Sequence, residues 1–309
     1  MNLFNEIGGY LELELLKAKE FYPKALALSS ARNCLRYIIR AYNIKEIYVP
    51  YFTCEVVYQA IKNENCSMKF YHIDKDFLPT TDFNKEDFIL YTNYFGICAK
   101  NVELLCQKYP NLIVDNAQAF YMHPKGLADF NSPRKFFGVP DGGYLFCKKE
   151  LDESFPKDLS YKRFSHLIKR LDVGATKGYM DFKANDASLD NEPVKFMSNL
   201  TKRLLSSIDY EKVKNIRLEN FNFLHNTLKE INELKIELTP DDVPMVYPYL
   251  IKEGLREKLI NNNIYVATYW QPLDEKSYEA YLRKYLLPLP IDQRYSSNDM
   301  QKILGVINE

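Results

Sequence analysis

The first half of the chain constrains the fold most, because short β-rich runs there alternate with stretches of helical spacing. Ser29-Ser30 precede a run from Ala31 to Tyr42 that places Leu35, Ile38, Ile39 and Tyr42 on one face, the pattern of a capped amphipathic helix. Glu46 to Val49 reads as a strand stopped by Pro50, and Cys54 to Ile61 as the next helix. Ser67 to Ile73 and Phe88 to Thr92 are β-rich, Phe95 to Asn111 has helical spacing, and Leu112 to Asp115 is an apolar strand. Gly142-Gly143 then open a strand from Tyr144 to Cys147. Strand and helix in alternation predict βαβ units and a mainly parallel sheet covered on both faces.

The second half changes character. Leu159 to Lys195 is rich in Lys, Asp and Asn with weak periodicity, and predicts a short helix followed by an irregular loop. One long amphipathic helix is expected from Asp209 to Leu234, carrying Val213, Ile216, Phe221, Leu224 and Leu228. Val246 to Ile251, a helix from Leu255 to Asn261, Ile264 to Trp270 and a last helix from Ser296 suggest a small α+β unit. The expected division is residues 1–20 as a segment packing on the small domain and 21–170 as a large α/β domain. Residues 171–208 would be a loop and connecting helix, and 209–309 the small C-terminal domain.

Composition excludes several classes of function. The chain has 309 residues, 41 basic and 41 acidic, so its formal net charge is zero and nothing draws it to nucleic acid or an acidic membrane. No apolar run approaches the ~20 residues of a membrane span, and no signal peptide is visible, so a cytoplasmic location is expected. Cys34, Cys54, Cys66, Cys98, Cys106 and Cys147 lack C-x-x-C spacing or a companion His pair, which predicts reduced thiols and no metal site.

Three features of the first half carry candidate chemistry. Asp115, in V-D-N-A-Q (Val114 to Gln118), ends an apolar strand where open α/β sheets place ligands, although an Asp there also caps turns. Lys135 lies in S-P-R-K-F-F-G-V-P-D-G-G (Ser132 to Gly143), whose D-G-G is also a good turn and whose lysine alone would pass as a solvated side chain. Ser29-Ser30-Ala31-Arg32 opens a helix, where free backbone N–H groups and the helix dipole suit a phosphate, though a plain cap by Ser30 explains the same residues.

Taken in order, these elements resemble pyridoxal-phosphate enzymes of fold type I, and more closely the DegT-type (StrS-like) sugar aminotransferases. Leu28-Ser29-Ser30 is similar to the family's S-S-G-T-A segment, Val49-Pro50-Tyr51-Phe52-Thr53 to its V-P-x-F-T, and Ile73-Asp74 to its V-D-x-D. Tyr94-Phe95-Gly96 resembles L-Y-G, and V-D-N-A-Q resembles E-D-A-A-Q. Met197-Ser198, Tyr269-Trp270-Gln271-Pro272-Leu273 and Leu287-Pro288-Leu289-Pro290 echo the small domain.

The resemblance implies a large α/β domain with a mainly parallel sheet plus a smaller C-terminal α+β domain, and a homodimer with its site at the subunit interface. Lys135 would form the Schiff base with pyridoxal 5'-phosphate and then act as general base and acid. Arg134 beside it would supply positive charge. Asp115 would keep the ring nitrogen protonated, and Gln118 would lie by the phenolic oxygen. Ser30, Ala31, Arg32 and Ser132 would hold the phosphate, and Cys54 stands where an aromatic side chain usually stacks on the ring. The implied reaction moves an amino group from an amino acid such as glutamate to a nucleotide-linked keto sugar, a small-molecule substrate. A dehydratase or amino-acid-specific enzyme, and a non-catalytic binding module, are the alternatives. The family's N-Y-R element reads Val194-Lys195-Phe196 here, and its S-F-H-P-x-K is shortened to Ser132-x-x-Lys135.

Overall fold

The computed structural model describes residues 7–270 and 275–309. Gln271-Pro272-Leu273, part of the resemblance above, lie outside the described residues.

In chain order the first part reads β1 (Leu26–Leu28), α1 (Ala31–Tyr42), β2 (Glu46–Pro50), α2 (Glu55–Lys62), β3 (Ser67–Tyr71), β4 (Ile89–Thr92), α3 (Ala99–Lys108), β5 (Leu112–Asn116), β6 (Ala128–Asn131) and β7 (Gly143–Cys147). These strands form one sheet in the order β1-β7-β6-β5-β4-β2-β3. The pairs β2–β3, β2–β4, β4–β5 and β5–β6 are parallel, whereas β7 pairs antiparallel with both β1 and β6. The sheet is therefore mainly parallel, as the alternation predicts.

Burial on both faces explains the continuous apolar run of β5. Ile113 packs on one side with Cys34, Leu35 and Ile38 of α1, while Leu112 and Val114 face Val102 and Leu105 of α3. Helix α1 is delimited at both ends. Ser30 accepts a hydrogen bond from the Asn33 N–H at 3.2 Å, and Asn43 closes the helix at φ 52° in the left-handed region that Asn tolerates.

The remaining elements are α4 (Ser165–Val173), α5 (Ala175–Ala187), α6 (Asn199–Leu205), α7 (Tyr210–Leu228), β8 (Val246–Leu250), α8 (Leu255–Asn261), α9 (Tyr278–Tyr285), β9 (Leu286–Pro290) and α10 (Ser297–Asn308). Strands β8 and β9 make a separate antiparallel pair. The short helix predicted for this region is α4, but the loop expected after it is a second helix, α5, and the two form a hairpin turning at Gly174 with φ 87°. Its signal is weak because only His166 of α4 and only Gly178 and Asn185 of α5 are buried, so neither helix carries an apolar stripe.

Helix α7 stops before the predicted Leu234. Beyond it the Asn232 carboxamide accepts the N–H groups of Leu234 at 3.1 Å and Leu250 at 3.0 Å, which turns the chain onto β8. Residues 264–270 form neither helix nor strand. Arg256 holds them by donating to the carbonyls of Val266 and Ala267 at 3.3 and 2.7 Å.

Candidate active site

The strand pattern delivers Asp115 to the carboxyl end of β5, on the same face as Ile113 and thus toward α1. It is 5% exposed, and one carboxylate oxygen accepts the Ala117 N–H at 2.8 Å. Burial pushes its pKa above the ordinary carboxylate range, while the positive charge of Lys135 and the Ala117 N–H pull it back. Asp115 in turn adds to the burial that raises the Cys34 thiol.

Lys135 is presented by a short 3-10 turn, Pro133–Lys135, that follows β6. Pro133 starts the turn with its fixed φ, and Phe136 and Phe137 anchor its far side. Phe137 meets the Phe120 ring edge-on at 4.8 Å and Tyr210 at 5.4 Å, and Phe136 lies 5.9 Å from Phe120. Two buried aromatics in sequence therefore fix the backbone next to an exposed lysine. Among the described residues the Lys135 ammonium has no hydrogen-bond or ion-pair partner. Its positive charge reaches Asp115.

The start of α1 lies against the D-G-G segment. The Gly142 N–H donates to the Ser29 carbonyl at 2.7 Å, and Gly142 takes φ 121°, which an L side chain rarely adopts. A Cβ on Gly143 would fall 2.6 Å from the Ser30 carbonyl carbon and 2.8 Å from the Ala31 nitrogen, so only glycine lets β7 approach this closely. The buried Asn33 carboxamide braces the same turn by donating to the Ser29 hydroxyl at 2.8 Å. The backbone N–H of Arg32 has no acceptor among the described residues, and the buried Ser132 hydroxyl makes no capping bond.

The Arg32 guanidinium is engaged elsewhere. It pairs with Asp190 at 3.2 Å and Asp186 at 3.5 Å, and Arg134 reaches Asp186 at 3.0 Å. A carboxylate at the end of α5 thus balances both arginines. What α1 offers an anion is its backbone N–H groups and the dipole.

Gln118 is 1% exposed; its Oε1 accepts the Phe95 N–H at 2.8 Å, while its Nε2 is a buried donor with no partner among the described residues. Phe95 and Gly96 sit in left-handed backbone at φ 56° and 71°. A Cβ on Gly96 would lie 2.6 Å from the Val243 carbonyl oxygen and 2.7 Å from that of Gln118, which explains the glycine in Tyr94-Phe95-Gly96. Cys54 caps α2 without a side-chain bond and adds to the burial that raises the Tyr269 hydroxyl, so the two groups are neighbours. Tyr51 instead stacks on Phe70 at 5.1 Å and contacts His72 at 4.4 Å. Trp270 packs against Phe52 at 4.9 Å. His123 is exposed.

These residues suit pyridoxal phosphate. An orphaned buried amide donor, a buried carboxylate with one oxygen committed, a free lysine and a glycine-lined helix start match the ring's phenolic oxygen, nitrogen, aldehyde and phosphate. One residue that supports the site shows no catalytic signature in the sequence. Asp141 is fully buried and accepts from the Ser198 N–H at 2.8 Å, the Ser198 hydroxyl at 2.7 Å and the Thr201 hydroxyl. It pins Met197-Ser198 and α6 to the D-G-G turn. An acidic residue before two glycines reads only as a turn.

No family model and no curated protein matches the sequence. Solved structures do match in fold. A DegT DnrJ EryC1 StrS aminotransferase from Brucella abortus is 18% identical at a TM-score of 0.59, covering 92% of this chain and 85% of that one. Helicobacter pylori PseC, an aminotransferase involved in the biosynthesis of pseudoaminic acid, is 15% identical at 0.60, covering 92% and 85%. Spr1654 from Streptococcus pneumoniae, in its PLP form, is 14% identical at 0.63, covering 92% and 86%. The fold is therefore that of the pyridoxal-phosphate-dependent transferases of fold type I.

Proposed function

We propose that this chain is a pyridoxal-phosphate-dependent aminotransferase that passes an amino group from an amino acid, glutamate being the expected donor, to a keto sugar carried on a nucleotide. The observation that carries the reading is that the buried carboxylate of Asp115 ends β5 while the Lys135 turn follows the end of its parallel neighbour β6, near enough for the lysine's charge to lower the carboxyl's pKa. The solved neighbours support it: one acts in pseudoaminic acid biosynthesis, and Spr1654 has been solved in PMP and PLP forms.

In this reading Lys135 holds the cofactor, Asp115 faces its ring nitrogen, Gln118 Nε2 donates to its phenolic oxygen, and Ser132 with the Ala31 and Arg32 N–H groups takes the phosphate. Ser30 and Cys54 complete the lining. Bound pyridoxal phosphate supplies an electron sink that accepts the pair left on the substrate carbon. The chain supplies the protons and the orientation. Asp115, destabilised as an anion by burial, gains a partner when a protonated ring nitrogen faces it, which favours the carboxylate. The Lys135 amine carries the proton between donor and acceptor carbons.

The site is completed by a second subunit in a homodimer. Leu171, Met180 and Phe182, exposed on the hairpin that carries Asp186, support that assembly. Six free cysteines suit a cytoplasmic enzyme. The test is the half-reaction: purified protein loaded with cofactor and mixed with glutamate should convert the cofactor to its amine form. Protein that binds the cofactor yet leaves it unconverted with every amino acid donor would sink the aminotransferase reading.

A further inference from the structure

Arg217, in the middle of α7, is 1% exposed and has no carboxylate in hydrogen-bond contact among the described residues. Burial holds its guanidinium at about 10, below its ordinary range. A buried cation is costly unless its donors find acceptors, and here each of its three nitrogens finds one. Nε donates to Gln293 Oε1 at 3.1 Å, Nη1 to the Met245 carbonyl at 3.0 Å, and Nη2 to the Phe136 carbonyl at 3.3 Å. The guanidinium also lies over the Phe136 ring, 4.5 Å from its centre. Gln293 closes the triangle by donating Nε2 to the same Phe136 carbonyl at 2.7 Å.

Phe136 follows Lys135 directly, and a carbonyl at the end of a helical turn has no partner within the turn. Two side chains from far along the chain supply one. The connection continues beyond Arg217. The Met245 N–H donates to the Phe95 carbonyl at 2.8 Å, and the Phe95 N–H donates to Gln118 Oε1 at 2.8 Å. One hydrogen-bonded path thus runs from the turn bearing Lys135, through Arg217, to the Gln118 side chain, whose buried Nε2 has no partner among the described residues.

We propose that Arg217 and Gln293 are positioning residues that set the Lys135 turn and the Gln118 carboxamide in register, so that both ends of one planar ligand are met at once. The inference rests on the reading that Lys135 carries pyridoxal phosphate. Arg217 fits this task better than a lysine would, because its planar fork satisfies three acceptors on separate elements with one rigid group. The two residues act on one carbonyl, so their effects are coupled.

The test uses the full-length protein with Gln293→Met, Arg217→Met and the double variant. Borohydride trapping on the wild type comes first, and an adduct missing from Lys135 overturns the underlying reading rather than this one. The variants are then compared by visible-region circular dichroism of the bound cofactor, by its release rate, and by reductive-methylation labelling of Lys135 in the cofactor-free protein. Far-UV circular dichroism serves as the folding control. Q293M should release cofactor about tenfold faster, as loss of one anchoring hydrogen bond implies, with a weakened cofactor dichroism and altered Lys135 labelling. The double variant should be no worse than R217M, the non-additivity of a shared contact. Folded Q293M with wild-type dichroism, release and labelling overturns the proposal, and should R217M fail to fold, Q293M alone decides.

Discussion

Gly143→Ala probes the contact on which the phosphate end of the site depends. The added Cβ would meet the Ser30 carbonyl carbon, its oxygen and the Ala31 nitrogen at 2.6, 2.7 and 2.8 Å, where ordinary contact begins at 3.4 Å. All three atoms are backbone, so no side-chain rotation relieves the clash. Either β7 or the first turn of α1 must retreat. A shift of about 1 Å costs on the order of a hundredfold in a positioned site. Overpacking of this kind destabilises by about 1–3 kcal/mol. The Ala31 and Arg32 N–H groups would lose their aim at the phosphate, and one or two charge-assisted hydrogen bonds at about 1.5–3 kcal/mol each predict ten- to a hundredfold or more weaker cofactor binding. The assay is an absorbance titration of cofactor into cofactor-free G143A, with urea unfolding in parallel. Inorganic phosphate should protect the wild type from urea more than G143A, because the lesion lies at the anion site. A folded G143A that binds cofactor with wild-type affinity would refute the reasoning.

Two other predictions follow from buried carboxylates. Asp141→Ala leaves the Ser198 N–H and two hydroxyls without their acceptor, so urea unfolding should show a loss of about 3 kcal/mol or more; an unchanged midpoint would contradict the anchoring role. Asp129 accepts N–H groups from Lys125 and Gly126, yet burial still pushes its pKa up to about 7. Its folded value lies above the unfolded one, so its contribution to stability is fully present below about pH 4 and is lost as pH rises through about 7. The change amounts to as much as about 4 kcal/mol. D129N should flatten that slope in unfolding measured across the window, and an unaltered slope would show that other groups cause it.

The legible parts of the molecule are those where burial leaves a period in the sequence. Helix α1 and strand β5 pack against the sheet core, and their apolar residues fall where 3.6-residue or continuous patterns place them. Helix α5 escaped because it buries almost nothing, and its lysines and aspartates look like those of a loop. Asp115 and Lys135 were visible as a pair through their order along the chain. Their shared surroundings depend on how β5 and β6 register side by side, which no local pattern encodes. Arg32 shows the opposite error of scale. A basic residue at a helix start reads as an anion ligand, yet Asp186 and Asp190, more than 150 residues away, engage it. Arg217 was hidden because a mid-helix arginine between Lys214 and Glu219 has the look of a solvated face, and only the tertiary fold reveals its three acceptors.

Borohydride reduction of the cofactor-loaded protein, followed by peptide mapping, addresses the central assignment most directly. A single pyridoxyl adduct on Lys135, absent from Lys135→Ala, is the predicted result. An adduct on another lysine, or none in protein saturated with cofactor, would contradict it.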